Sequence, residues 1–288
     1  MSEASADLAP RKSHKEENFP VASFVIKPRH RAAIMAFYRF ARTADDIADH
    51  PSLSPDARLA ELERMRATLA GENDDEAVAL ALRRTLEDRG LGADHPLDLL
   101  AAFRQDVVKS RYADWAELMD YCRLSAAPVG RFVLDVHGEA RATWPSSDAL
   151  CAALQVINHL QDCAKDYREL DRVYLAADAL AAAQTDAHAL AAPGASPGLR
   201  SVIVGMARRT ELLLGQSAGL AGQVRDRRLA YEVALIQRIA EDLTARLIAR
   251  DPLAERVHHR PMEVVGLAIL AGKDQIAGRR RAQAARSA

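Results

Sequence analysis

The chain has 288 residues, of which 49% are hydrophobic and 5% aromatic, and its formal net charge is −1. A chain of this length buries a sizeable core, and so small a net charge excludes a global field that recruits nucleic acid. No run of roughly 18 apolar residues occurs, which excludes an ordinary transmembrane helix, and three cysteines without CxxC spacing favour a reduced, cytoplasmic compartment over a disulfide framework.

Helical periodicity dominates the chain after a polar and charged leader. Residues 1–18 lack the apolar core of a signal peptide and are expected to be disordered, and residues 19–288 are expected to form a single domain. Convincing strand alternation is absent, and Ala and Leu far outnumber Val and Ile, which favours helix. The sequence therefore predicts an all-α bundle whose polar site is built from facing helices. The predicted helices span 29–49, 55–70, 74–89, 96–109, 114–136, 147–169, 198–220, 227–250 and 261–283.

Proline marks several boundaries of these helices. Ser54 followed by Pro55 predicts an N-cap with proline at the first helical position. Pro128 inside the helical pattern of 114–136 predicts a break, which is either a helix end or a kink. The segment 186–199 is rich in Ala, Pro and Gly and predicts a loop within the domain.

Two aspartate pairs carry most of the functional information. Asp45 and Asp49 form the first pair, and Asp162 and Asp166 form the second, each with i, i+4 spacing inside a helical pattern. Both carboxylates of a pair leave the helix on one face. Like charges at that spacing destabilise a helix by a few tenths of a kcal/mol, which suggests a compensating cation. A small number of hard oxygen ligands indicates Mg²⁺, which completes its shell with water and substrate phosphate.

Each pair belongs to a longer polar stripe. A single stripe of this kind is more often a solvated helix face, but two stripes with matching aspartates favour a metal–diphosphate site, in which Arg forks onto phosphate oxygens. Asp46 lies about 100° round the helix from Asp45 and is expected beside the site or exposed. The stripes are Tyr38, Arg42, Asp45 and Asp49 on the first helix, and Gln155, Asn158, Asp162 and Asp166 on the second.

The segments around these stripes resemble the squalene/phytoene synthase family, and they are most similar to its hydroxysqualene synthase branch of bacterial hopanoid and squalene biosynthesis. The likeness is close from residue 18 to about residue 175 and loose beyond it. Several spaced motifs occur in the right order, so the match is specific. The segments that carry it are 18–24 (NFPVASF), 38–42 (YRFAR), 45–49 (DDIAD), 103–107 (FRQDV), 121–130 (YCRLSAAPVG) and 158–166 (NHLQDCAKD).

The resemblance implies an isoprenoid synthase-type helical bundle in which the two aspartate motifs face each other across a central cavity. It also implies three sets of site residues. The implied Mg²⁺ ligands are Asp45, Asp49, Asn158, Asp162 and Asp166. The implied catalytic residues are Tyr38 and the four aspartates. The implied substrate-binding residues are Ser23, Arg42, Gln155, Asn158, Arg172 and Tyr174.

The resemblance further implies a lyase-type reaction on presqualene diphosphate. The diphosphate leaves, the cation rearranges, and water captures it to give hydroxysqualene, between a synthase that supplies the substrate and a reductase that consumes the product. Phytoene and squalene synthases carry Arg at the position of Gln161. The absence of that Arg is similar to the hydroxysqualene branch. Asp171 and Ala176 replace the family's usual Gly and Pro, which puts the loop holding Arg172 and Tyr174 in question.

Other functions remain open on the sequence. The nearest rival is a head-to-head condensing enzyme of the squalene or phytoene synthase type, and a more distant one is a terpene cyclase. A non-catalytic helical assembly protein with solvated aspartates is the non-enzyme alternative. Glu255 and His258 form a single Glu-x-x-His motif, whereas a di-iron bundle needs two such motifs. The Tyr38 ring either contacts the cation or belongs to the core.

The C-terminal pattern has two interpretations. Residues 264–271 are apolar, and Arg279, Arg280 and Arg281 follow. One interpretation is a last bundle helix with a basic tail. The other is weak peripheral attachment to anionic lipid, which places a cytoplasmic enzyme at the inner membrane.

Overall fold

The computed structural model describes residues 27–260, 262–273 and 275, so the predicted leader and Ser23 lie outside the described residues. Within them the chain is helical, and the single β feature is an isolated bridge between Arg111 and Val173, which confirms the all-α prediction. The helices are α1 Pro28–Ala48, α2 Pro55–Leu69, α3 Ala77–Arg89, α4 Asp94–Val108, α5 Trp115–Ser125, α6 Ala127–Val136, α7 Trp144–Leu170, α8 Ala177–Ala182, α9 Pro197–Ser217, α10 Leu220–Gln223 and α11 Arg227–Ala249, followed by α12 over 262–273.

Two compact units divide the described chain. The first comprises residues 27–110 and 123–138, and the second comprises 111–122 and the described residues from 139 onward. The prediction of a single domain over 19–288 stays a prediction. No helix of the described part is both long enough and apolar enough to cross a bilayer.

Helix α1 is the centre of the first unit and packs against α2, α3, α4 and α6. The stacked rings of Phe37 and Phe132, 4.1 Å apart, fix α6 against α1. The apolar positions of α1 recur at the spacing of one helix face, so the polar positions between them are left beside that core face. Hydrophobic packing thus sets the rotation of α1 and the direction of its aspartates. The buried apolar residues of α1 are Ala33, Ile34, Phe37, Phe40, Ala44, Ile47 and Ala48.

Helix α7 has the corresponding position in the second unit. It is 27 residues long and packs against α9 and α11. Small and branched apolar side chains let these helices approach, and they leave a polar stripe at the edge of the contact. The buried apolar residues of α7 are Ala149, Leu150, Ala153, Val156, Ile157, Leu160, Cys163 and Ala164.

The helix boundaries follow the sequence signals. The Ser54 hydroxyl accepts a 3.3 Å hydrogen bond from the Ala57 amide, which confirms the predicted cap. The predicted helix over 114–136 is divided, because Pro128 in the first turn of α6 offers no amide to continue α5. The predicted loop over 186–199 contains a short 3₁₀ turn, Ala187–Ala191.

Candidate functional site

The first aspartate motif, Asp45 and Asp49 on α1, contains its own cation. The Arg42 guanidinium donates to Asp45 at 2.8 Å and to Asp46 at 2.5 Å. Tyr38, one turn before Arg42, is half-buried, as are the two motif aspartates. The predicted stripe is therefore present. Asp46, expected beside the site or exposed, is a half-buried partner of Arg42.

Carboxylates are crowded around Asp45. Although 39% of its side chain is accessible, desolvation by the surrounding protein raises the pKa of Asp45 to about 7, with further increases from Asp49, Asp46 and Asp106, and Arg42 opposes them. The ionised form of the Asp45 carboxyl remains disfavoured even beside Arg42. One guanidinium therefore does not neutralise this group of carboxylates. This cluster fits a bound cation.

Asp106 is a member of this cluster that sequence reasoning did not assign. It lies on α4, 8% exposed, and its charge acts on Asp45. Its segment contributed to the family resemblance, but periodicity on α4 alone does not show that it approaches α1. A buried polar position in an otherwise apolar helix pattern was the available signal.

The second aspartate motif, Asp162 and Asp166 on α7, continues a half-buried polar stripe. Gln155, Asn158 and both aspartates are all half-buried, so this stripe is not a fully solvated face. No side chain among the described residues pairs with the Asp162 carboxylate in a hydrogen bond or ion pair. A carboxylate such as Asp162, held at a helix edge without an ion pair in the described residues, is suited to ligate a divalent metal.

A segment after α11 approaches the second motif, which the sequence did not predict. The buried Gln161 amide donates to the Val257 carbonyl. Desolvation, followed by Arg256, lowers the pKa of the next residue, His258, and Asp162 opposes this shift. His258 therefore lies within electrostatic range of Asp162, and the hydrogen bond from Gln161 to Val257 holds the segment there.

Buried aromatic rings lie behind the second motif. His159 stacks on Tyr174 with ring centroids 3.5 Å apart, and Tyr174 in turn contacts Tyr112 and Tyr121. Desolvation, assisted by Arg172, lowers the pKa of His159 to about 3. The imidazole is therefore neutral near pH 7. Of the implied substrate-binding residues, Tyr174 lies in this aromatic cluster, and Arg172 is buried with 7% exposure.

The turn after α7 explains one departure from the family pattern. Asp171 ends the helix with a left-handed φ of 50°, a conformation that glycine adopts without strain and that Asp tolerates better than most residues. Arg111 donates to the Asp171 carboxylate at 2.6 Å. The next amide, of Arg172, donates to the Asp166 carbonyl at 3.1 Å. The turn is thus formed with Asp where the family has Gly.

The structure gathers the predicted residues into two groups. Tyr38, Arg42, Asp45 and Asp49 belong to the first unit, and Gln155, Asn158, Asp162, Asp166, Arg172 and Tyr174 belong to the second. Ser23 lies outside the described residues. Their roles in binding and catalysis stay predictions, and the geometry of each group suits oxygen ligation of a cation and recognition of a polyanion.

The family is shown by comparison with known proteins. The family model "Squalene/phytoene synthase" matches residues 12–263, so the chain belongs to the squalene/phytoene synthase family. Members of this enzyme type act on prenyl diphosphates and are generally Mg²⁺-dependent. The match extends well past residue 175, where the motif likeness had become loose.

Individual relatives narrow the likeness further. The chain is 52% identical to a hydroxysqualene synthase from Rhodopseudomonas palustris, covering 91% of this chain and 90% of the relative. It is 53% identical to a hydroxysqualene synthase from Zymomonas mobilis, covering 94% and 92%. A solved squalene synthase from Alicyclobacillus acidocaldarius is 33% identical with a TM-score of 0.70, covering 81% of this chain and 88% of that one. A dehydrosqualene synthase, 20% identical with a TM-score of 0.76, shows the fold alone.

Proposed function

We propose that the chain is a hydroxysqualene synthase, which converts presqualene diphosphate and water into hydroxysqualene and diphosphate. The support is identity above 50% over nine-tenths of the chain to relatives of that name. Gln161 in place of the Arg of condensing relatives agrees with this branch.

One structural observation supports the metal–diphosphate part of the proposal. Desolvation, followed by repulsion from Asp49 and other nearby carboxylates, raises the pKa of Asp45 to about 7 despite Arg42, and a bound divalent cation relieves such an environment. When bound, Mg²⁺ would supply positive charge to the diphosphate. The proposed ligands are Asp45 and Asp49 in the first unit, and Asn158, Asp162 and Asp166 in the second.

The chain's own residues then have distinct roles. The bond between the cyclopropylcarbinyl carbon and the diphosphate oxygen breaks, and its electron pair leaves with diphosphate. Arg42 contributes a guanidinium that can fork onto phosphate oxygens. The cation rearranges, a water oxygen forms the new carbon–oxygen bond, and the proton from that water passes to solvent. The family resemblance implies substrate contacts for Tyr38 and for Gln155, and phosphate contacts for Ser23 and for Arg172.

Tyr174 and His159, from the aromatic cluster, shape the apolar surroundings of the second motif in this proposal. Tyr174, held by its stack on His159, closes the apolar side of the second motif and helps to exclude stray water from the cation. The neutral imidazole adds no positive charge next to a developing cation.

The proposed reaction also defines its neighbours. A synthase must supply presqualene diphosphate, and a reductase must remove the hydroxyl of the product to give squalene. Because substrate tail and product are apolar, we place the enzyme in the cytoplasm with peripheral contact to the inner membrane.

The function is tested with purified protein, Mg²⁺ and no NADPH, offered farnesyl diphosphate and presqualene diphosphate separately. We expect hydroxysqualene from presqualene diphosphate alone, identified by mass spectrometry of the extracted lipid. The variant Asp162→Asn should lower the rate of hydroxysqualene formation about 10³-fold, whereas Asp88→Asn, at an exposed position on α3, should leave it unchanged. Hydroxysqualene formation unaffected by EDTA would contradict the metal role.

A condensing enzyme is the second candidate, favoured by the likeness to the solved Alicyclobacillus squalene synthase. It predicts presqualene diphosphate or a phytoene-type product from linear prenyl diphosphates. Detection of such a product would contradict the proposed hydroxysqualene synthase activity and assign the chain as a condensing enzyme. A terpene cyclase would yield a cyclic hydrocarbon from the linear substrate, and an assembly protein would release no diphosphate from either.

A further inference from the structure

Helix α12, residues 262–273, has an exposed apolar face. Four of the seven large apolar side chains that are exposed in the described part of the chain lie on it. They are Met262 at 78%, Val265 at 52%, Ile269 at 57% and Leu270 at 48% exposure. Scattered exposed apolar residues are ordinary on protein surfaces, but a contiguous patch on one helix indicates an interaction surface.

The exposed side chains form one stripe. At 100° per residue, Val265, Ile269, Met262 and Leu270 fall within about 140° of the helix circumference. Gly266 lies within the stripe, and exposed Lys273 continues it at the C-terminal end. The stripe is as wide as the core-facing side of an ordinary amphipathic helix.

The opposite face of α12 is already occupied. Ala271 is buried, and the Tyr231 hydroxyl of α11 donates to the Ala268 carbonyl at 3.0 Å. Arg246 of α11 pairs with Glu263 at 3.1 Å. One face of α12 is therefore anchored to α11. The apolar stripe lies on the other face, which points away from α11.

Exposed cations lie at the two ends of the stripe. Arg260 precedes α12 and Lys273 ends its described part, and neither has a side-chain hydrogen bond or ion pair within residues 27–260, 262–273 and 275. An apolar face combined with Lys and Arg is the composition of helices that lie in a membrane interface and bind anionic lipid.

We propose that the outer face of α12 is a docking surface for an anionic lipid bilayer, with Val265, Ile269 and Leu270 entering the acyl boundary and Arg260 and Lys273 at the headgroups. A second copy of the chain is a weaker occupant. Four side chains make a patch of a few hundred Å², below the approximately 800 Å² per partner of a stable interface, and like charges would oppose each other across it.

The choice of lipid also rests on the proposed function. Presqualene diphosphate carries long apolar chains, and hydroxysqualene has no charge, so both partition into bilayers. A bilayer-docked enzyme takes up its substrate and releases its product without carrying either through water. The contact is peripheral, since no described helix is suited to spanning.

The test is flotation of the full chain with vesicles of phosphatidylcholine, with or without phosphatidylglycerol. We expect recovery with the anionic vesicles and less at high salt. The double variant V265Q/I269Q should reduce the partition coefficient about tenfold or more, and R260Q/K273Q should remove the preference for anionic vesicles. The matched control is V108Q/L212Q, which changes two apolar side chains of similar exposure on α4 and α9.

Two flotation results would overturn the proposal. One is equal flotation of wild type and V265Q/I269Q, and the other is no flotation of wild type with either kind of vesicle. A wild-type dimer in sedimentation velocity that V265Q/I269Q converts to monomer would assign the face to self-association. Turnover of presqualene diphosphate in detergent is measured in parallel. Vesicle binding without turnover contradicts the proposed function alone, and normal turnover of V265Q/I269Q shows that the variant folds.

Discussion

The two aspartate motifs have the same spacing but opposite electrostatic surroundings. On α1, Arg42 already bonds Asp45 and Asp46, and desolvation together with the neighbouring carboxylates still raises the pKa of Asp45 to about 7. On α7, Asp162 has no ion pair in the described part of the chain, and its charge opposes the desolvation that lowers the pKa of His258. The first motif is thus a crowded acid cluster that a single guanidinium only partly neutralises. The second contains an acid, Asp162, that has no ion pair in the described residues.

This difference predicts equal losses of activity but unequal changes in stability. Asp162→Asn and Asp45→Asn should each lower kcat/KM on presqualene diphosphate by about 10³-fold, because each removes a ligand from charge stabilisation worth several kcal/mol. Asp162→Asn should leave the melting temperature at pH 8 unchanged. Asp45→Asn should raise it, since the folded state no longer carries a carboxylate whose ionised form is disfavoured. Steady-state kinetics and calorimetry measure both.

The exposed substitution Asp88→Asn controls for general surface effects. If Asp45→Asn instead lowers the melting temperature, the hydrogen bond from Arg42 outweighs the carboxylate repulsion. The proposed contrast between the motifs would then be wrong.

The buried histidine behind the second motif predicts acid sensitivity in that unit. His159 has a pKa of about 3 in the folded chain and about 6.5 when unfolded. The unfolded state therefore binds the extra proton as pH falls below about 6.5, and folding stability decreases. Between pH 7.5 and pH 5 this costs about 2 kcal/mol. His159→Phe, which keeps a ring against Tyr174, should remove that dependence in urea titrations at the two pH values.

His188→Phe is the matched control, because His188 is exposed, and its ring lies perpendicular to that of Tyr167, whose hydroxyl is 2.9 Å from His188 Nδ1. The control should follow wild type at both pH values. A His159→Phe protein that loses as much stability on acidification as wild type would show that another group titrates.

The crowded first motif predicts that Mg²⁺ binding releases a proton. Because the pKa of Asp45 is raised to about 7, the carboxyl is partly protonated at neutral pH and must ionise to bind the metal. Apparent Mg²⁺ affinity should increase about tenfold from pH 6 to pH 8. Isothermal titration calorimetry in buffers of different ionisation enthalpy measures the released proton. Asp162→Asn should retain the proton release and Asp45→Asn should lose it; identical release from both would contradict the assignment to Asp45.

Local sequence patterns predicted what lies on one helix, and long-range contacts were beyond them. The stripes on α1 and α7 followed from periodicity, and Pro128 located the break between α5 and α6. Asp106 acts on Asp45 from α4, and Val257 meets Gln161 across 96 positions of sequence. Such contacts depend on how helices pack, which periodicity within one helix does not encode. The proposed reaction was predicted from the family resemblance. The different electrostatic surroundings of the two motifs became visible only in the three-dimensional structure.

The smallest predicted effect concerns how the motif helices end. Helix α1 ends at Asp49 with an ordinary φ of −97°, whereas α7 ends at Asp171 in the left-handed region. Asp171→Gly relieves about 1 kcal/mol of strain but loses the exposed pair with Arg111, worth up to about 1 kcal/mol, so its unfolding free energy should change little. Asp171→Ala keeps the strain and loses the pair, and should be the less stable of the two in urea denaturation. Equal stability of the two variants would mean that the left-handed φ does not decide which residue is tolerated at position 171.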